Sequence, residues 1–258
     1  MILTQRQSAI ELRNLTAGYD GRPVIRDISW KVPNGTLAGI IGPNGGGKST
    51  LLKALVGLVK PLNENADIRL MGAPPGEVRG TAAYLSQVEE VDWSFPITVL
   101  DVVLQGRLVS KRIWERYTAQ DYEAARHALA HLGIEELESV QIGSLSGGQR
   151  QRVFLARALA QGADIILLDE PSTGLDAQAQ HELAATFQAL RSEGRTIVVA
   201  THDFNCLIEN FDQVLALDGE IVALGVPREV LTEEIMTKLF SRHFPMVGPT
   251  GEVVIHDV

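Results

Sequence analysis

Gly42-Pro43-Asn44-Gly45-Gly46-Gly47-Lys48-Ser49, with Thr50 next, matches the spacing G-x-x-x-x-G-K-[ST]. Glycines at this density let the backbone curl until successive N–H groups point at one anion, and a helix that begins there turns its positive end on the same point. Lys48 has the reach to bridge the β and γ phosphates of a nucleotide. The Ser49 hydroxyl suits Mg²⁺, a hard cation that keeps several of its waters and takes few protein ligands. A glycine-rich turn of no function is the weaker reading, since average composition produces this pattern by chance in about one chain in a hundred of this length.

Phosphate chemistry also needs acid. Ile165-Ile166-Leu167-Leu168-Asp169-Glu170 is an apolar run that closes on two carboxylates. Asp169 would hold Mg²⁺ through its water shell, and Glu170 would orient and deprotonate an attacking water. Taken alone, the pair could equally cap a following helix that starts at Pro171 and Ser172. A second anion pocket is legible at Leu145-Ser146-Gly147-Gly148-Gln149, where Ser146 and the next backbone N–H groups open a long amphipathic stretch. One nucleotide does not need two helix termini of its own.

The elements that must hold these residues follow from periodicity. Strands are expected over residues 9–15, 28–32 and 37–41, the last running straight into the glycines, and Leu51, Leu52, Leu55 and Leu58 then recur at helical spacing. Further strands are expected at 68–70 and 82–85. From about 87 to 161 helical patterns dominate; Tyr122, Ala125, Leu129 and Leu132 share a face, and Gly133 marks its end. Residues 165–168 and 196–200 are short apolar runs separated by a helical stretch over 177–190, the pattern of parallel strands covered on both faces. Strands at 213–217 and 221–224 and one or two short helices after Pro227 complete the reading.

Composition narrows the function. Lys and Arg number 23 against 32 Asp and Glu, a net charge of −9, the opposite of the clustered cations that carry nucleic-acid affinity. Hydrophobic residues make up 45% and charged residues 21%, with no apolar run of about 18 residues for a membrane span. The single Cys206 leaves no disulfide to form within the chain. The opening MILTQRQSAIELRNL lacks the basic head, apolar stretch and cleavage site of a secretion signal. A cytoplasmic globular protein is expected.

LSGGQ between a phosphate loop and a strand ending in Asp-Glu resembles the signature of the ABC ATPases, and the likeness runs in the right order over nearly the whole chain. It implies an α/β fold with a P-loop (RecA-like) nucleotide-binding core, an antiparallel β subdomain and a helical insert. The whole of 1–258 would be one ABC ATPase domain, with the core at 1–87 and 162–225, the insert at 88–161 and a C-terminal extension at 226–258. The signature Leu145, Ser146, Gly147, Gly148 and Gln149 of one copy would close over ATP held by another, in a head-to-tail dimer. By the same likeness Gln87 senses Mg²⁺ and the γ phosphate, Asp176 in STGLD communicates across the dimer, and His202 is the switch histidine that helps hold Glu170 and the water. Tyr19 resembles the aromatic that stacks on adenine, a contact of roughly 1–3 kcal/mol by analogy with other base stacking.

Small members of this family without membrane helices mostly power transporters by docking on membrane permease subunits at the cytoplasmic face of the membrane, fed indirectly by an extracytoplasmic substrate-binding protein. The stretch VDWSFPITVLDVVLQGR, residues 91–107, is similar to that of the manganese, zinc and iron uptake branch. There Trp93 and Phe95 could anchor a docking helix or lie buried under the insert. Import of siderophore, haem or cobalamin, or service as a soluble scaffold ATPase in iron–sulfur cluster assembly, would share every nucleotide motif. His127 and His131 lie four apart on an expected helix but lack further ligands, so they read as solvated surface residues rather than a metal site.

Overall fold

The computed structural model describes residues 8–77, 80–86, 95–112, 114–240, 246–247 and 253–254. The chain opens with a long antiparallel hairpin, β1 (Ser8–Tyr19) and β2 (Arg22–Pro33), turned by Asp20 and Gly21 at φ 51° and 73°. Two successive left-handed residues are what a two-residue turn matching the twist of the strands requires. The expected strands at 9–15 and 28–32 are therefore parts of longer ones. Register shifts between Leu12 and Leu15 and between Leu15 and Ala17, with Asn14 at φ 52°, break the two-residue alternation from which strand length is read. β4 (Asp67–Leu70) joins the far side of β1, giving a three-stranded sheet in the order β2-β1-β4.

The second sheet has the order β5-β6-β7-β3-β8-β9. Its strands β3 (Leu37–Ile41), β5 (Ala82–Leu85), β6 (Ile165–Asp169), β7 (Thr196–Ala200) and β8 (Gln213–Asp218) are parallel, and β9 (Glu220–Gly225) closes one edge antiparallel to β8. Both faces are covered, as continuous apolar strands demand. On β6, Ile166 and Leu168 enter one core with the middle helices while Ile165 and Leu167 enter the other, with the three-stranded sheet and α1 (Lys48–Leu55).

Between β5 and β6 lie α2 (Val99–Leu104), α3 (Ala119–His131) and α4 (Gly147–Gln161), which pack on one another. Thr98 and Asp101 form a capping box at the start of α2, and Thr118 and Asp121 another at α3. Asp121 is buried and accepts from Thr118 N–H and hydroxyl, from Arg107 Nε at 3.1 Å and from Lys111 Nζ at 2.6 Å. Burial raises its carboxyl pKa, but these donors together outweigh that and hold it well below the usual range. Of the expected α3 face, Ala125, Leu129 and Leu132 are buried, whereas Tyr122 in the first turn stays 38% exposed and meets Tyr117 edge-on. His127 and His131 are exposed on α3 as expected, and His131 Nε2 also lies 3.0 Å from Glu193, just past the end of α5 (Ala177–Ser192).

After β7 comes α6 (Phe204–Asn210), and after β9 come α7 (Pro227–Val230) and α8 (Glu233–Phe240), which pack against β8 and β9. Ile235, Met236, Leu239 and Phe240 form the inward stripe of α8. Short strands β10 (Met246–Val247) and β11 (Val253–Val254) pair antiparallel. Among the described residues no helix is long and apolar enough to cross a membrane.

Candidate active site

Three neighbouring strands, β6, β7 and β3, deliver their carboxyl ends to one place, where ligands of open parallel sheets bind. The glycine loop leaves β3 so closely packed that a Cβ on Gly42 would lie 2.0 Å from Leu217 O. Gly47 caps α1 at φ 96°, and a Cβ there would meet Ile25 Cγ2 at 2.3 Å. Only glycine satisfies both demands. Pro43 and Gly46 are buried beneath the loop, Asn44 and Gly45 are exposed on its crest, and Ser49 and Thr50 follow in the first turn of α1, half-buried and buried.

Lys48 is 7% exposed; its Nζ donates to Gly42 O at 2.9 Å and Pro43 O at 3.0 Å and lies 3.9 Å from Glu170 Oε1. Burial lowers its pKa, while the Glu170 and Asp169 carboxylates push back toward the charged form. Glu170 sits at φ 50°, left-handed for a residue with a side chain, and its N–H still extends the β6–β7 ladder by donating to Ala200 O at 2.9 Å. Such a turn is costly and recurs at functional sites; here it turns the carboxylate toward Lys48. His202, two residues past the end of β7, brings Nδ1 to 4.0 Å from Glu170 Oε2 with its side chain 68% exposed. Gly42, Pro43, Asn44, Lys48, Glu170 and His202 thus line one cleft of about 440 Å³.

Asp169 is 4% exposed, and its Oδ2 accepts from the Tyr84 hydroxyl at 3.1 Å. Its Oδ1 is buried with no hydrogen-bond partner among the described residues. A buried orphan carboxylate oxygen beside a phosphate loop fits a site for a hydrated Mg²⁺, with the Ser49 hydroxyl as the other oxygen donor.

Two contributors escaped the sequence reading. Tyr84 shares its side of β5 with Ala82, an alternation that marks it as half-buried but says nothing of a carboxylate partner. Phe240, which lines the cleft from the far end of α8, had no signal. Other expected site residues lie outside the cleft. Tyr19 is 48% exposed beside the hairpin turn. Ser146 caps α4, its hydroxyl accepting from Gln149 N–H at 3.3 Å while Gln149 Oε1 accepts from Ser146 N–H at 2.9 Å. Leu145 is buried behind this turn, and Ser146 and Gly147 are exposed. Gly147 and Gly148 abut Leu175 and Ala179, and Asp176 between them caps α5 by accepting from Ala179 N–H at 2.8 Å. The signature and the acidic loop therefore share one face of the chain. Gln87 and Trp93 lie outside the described residues; Phe95 is 63% exposed.

A family model described as ABC transporter matches residues 25–173, more than half of the chain. The manganese transport system ATP-binding protein MntB of Bacillus subtilis (strain 168) is 42% identical over 232 residues, 90% of this chain and 92% of its own length. The zinc transport system ATP-binding protein TroB of Treponema pallidum (strain Nichols) is 40% identical over 233 residues, 90% of this chain and 87% of its own length. Among solved structures, one reported as an inward-facing conformation of a metal-chelate type ABC transporter superposes with a TM-score of 0.80 at 30% identity, covering 91% of this chain and 89% of that one.

Proposed function

The chain belongs to the ABC transporter family as an ATP-hydrolysing subunit of a multi-subunit import system, and on that premise we propose that it powers uptake of a divalent metal ion, manganese, zinc or iron. The observation that carries the catalytic part is the single cleft in which Lys48 and His202 approach the same Glu170 carboxylate, at 3.9 and 4.0 Å. The metal cargo is supported by the names of the relatives and by the 91–107 stretch.

In this reading the loop backbone from Gly42 to Gly47 and Lys48 grip the phosphates of ATP, and Tyr19 stacks on its adenine. Glu170 accepts the proton of the attacking water, and His202 keeps that carboxylate and water in line with the γ phosphate. Ser49 and Asp169, with Gln87, would hold Mg²⁺, which supplies positive charge against the phosphate oxygens when bound. Ser146 to Gln149 and Asp176 lie apart from the cleft on an exposed face, so they act on ATP held by a second copy. Head-to-tail closure of two copies brings the exposed N-terminus of α4 to the γ phosphate.

The subunit works peripherally at the cytoplasmic face of the membrane, on permease subunits fed by an extracytoplasmic binding protein, with no nucleic-acid partner. Residues 88–161 form the insert that meets the permease, 1–87 and 162–225 the core, and 226–258 an extension. The test is uptake of manganese, zinc and iron, each supplied separately, in cells lacking this chain and complemented with wild type or Glu170→Gln. Loss of one metal's uptake that only the wild type restores is the expected result. Unchanged uptake of all three refutes the metal cargo.

A further inference from the structure

We propose that Phe240, the last residue of α8, is a positioning residue for hydrolysis that fixes the aim of His202 through an aromatic contact with Phe204. The proposal rests on the role given above to His202 and extends the working part of the protein into a helix that follows the whole catalytic sheet.

His202 has little to hold its ring. Its side chain is 68% exposed, and among the described residues its polar partner is Glu170, at 4.0 Å. The direction of such a ring is set by the backbone on either side. Upstream, Thr201 N–H donates to Ile40 O at 3.0 Å, tying the strand end to β3. Downstream, Asp203 N–H donates to Thr201 Oγ1 at 3.1 Å, and the Asp203 carboxylate caps α6 by accepting from Cys206 N–H at 3.1 Å. The tie to β3 fixes where the strand ends, while the two bonds after it are local and set the shape of the turn, leaving its far side to be held by what α6 packs against.

Position comes from the next residue. Phe204, first in α6, packs edge-to-face on Phe240, with ring centroids 6.0 Å apart and planes at 74°, a favoured geometry for an aromatic pair. Phe240 in turn is anchored by Leu239, fully buried beside it, and by Ile235 and Met236 one turn earlier. The same Phe240 ring lines the cleft beside Pro43, Lys48 and Glu170. One ring thus touches both the turn that carries His202 and the pocket into which His202 must point.

The test is steady-state ATP hydrolysis by the full chain, with nucleotide affinity measured separately, for wild type, Phe240→Ala, Phe240→Tyr, His202→Ala and the double variant His202→Ala/Phe240→Ala. Phe240→Ala is expected to lower kcat about tenfold with KM and affinity within about twofold, because small misplacements of a reacting group are costly in rate. Phe240→Tyr, which keeps the ring, restores kcat to within about twofold. In the His202→Ala background, Phe240→Ala lowers kcat by no more than about twofold further, since the group it acts through is gone. If Phe240→Ala does not fold, Phe204→Leu and Phe240→Leu, which keep apolar bulk without the ring pair, take its place. Unchanged kcat in these variants, a KM effect alone, or multiplying losses in the double variant overturn the proposal. Full activity in His202→Ala overturns the reading of His202 itself, whereas loss in His202→Ala with none in Phe240→Ala overturns only the role of Phe240.

Discussion

The cleft and the signature face treat their polar groups in opposite ways. In the cleft, Asp169 Oδ1 is buried without a partner among the described residues, Lys48 is turned back on the carbonyls of its own loop, and Glu170 holds a left-handed backbone. On the face formed by α4 and α5, the Ser146–Gln149 box and the Asp176 cap close every one of these side chains on its own helix. Unmet bonding capacity marks where charge must be received and chemistry done. A surface that is satisfied and still exposes a helix N-terminus is a rigid tool for another molecule's charge. The two regions are therefore halves of different sites, and a second copy is needed to join them.

Glu170→Gln strikes the cleft hardest. It keeps shape and removes the base, so hydrolysis should fall by about 10²–10⁴ while ATP affinity holds and ATP-bound dimers accumulate. Normal turnover, read as phosphate release alongside size-exclusion of the ATP complex, would break the division of labour. Lys48→Ala acts on binding instead: ATP affinity should drop by about 100-fold, the scale of one charge-assisted contact with phosphate, measured by titration calorimetry. Ser146→Ala tests the other half. The monomer should bind ATP as the wild type does but fail to dimerise, and its thermal unfolding should register the loss of a cap, about 1 kcal/mol.

The smallest effect sharpens the comparison through pH. Asp121, buried in the same helical layer as the signature helix, has its folded carboxyl pKa depressed by its donors. Its stabilisation is whole above the ordinary value of 3.8 and is lost as pH falls below that toward the folded value. Asp121→Asn should therefore destabilise the chain at neutral pH and flatten the acid limb of its stability curve, followed by circular dichroism. An unaltered acid limb would mean that Asp121 is not the group whose protonation weakens this layer.

How far the sequence carried the structure depended on where the determining interactions lie. The strands at 37–41 and 196–200 have the bounds that continuous apolar runs implied, because burial on both faces leaves no other use for them. The glycine loop was legible since its demands are local: Gly42 and Gly47 answer to backbone geometry that no other residue meets. The left-handed turn of Glu170 could not be read, because it arises where the ladder with β7 ends. Phe240 was invisible for a related reason. Its partner Phe204 lies 36 positions earlier, and only the packing of α8 against β8 and β9 brings the rings together. The helical bridge from His131 to Glu193 likewise needed the third dimension.

The placement of β3 between β7 and β8 bears on how the protein is made. Leu37 pairs with Ile197, and Ala38 with Gln213, each more than 150 positions downstream. A ribosome adding about 5–20 residues per second delivers the phosphate loop long before either neighbouring strand exists. Until residue 200 has emerged, β3 has no partner on either edge and cannot be joined through β7 to the strand that carries Glu170; its other edge waits for β8, which ends at residue 218. Nucleotide is therefore no aid to the early nascent chain; it can stabilise only a molecule already nearly complete. The first hairpin, whose strands are joined by two residues, is the part of the fold that can form at once.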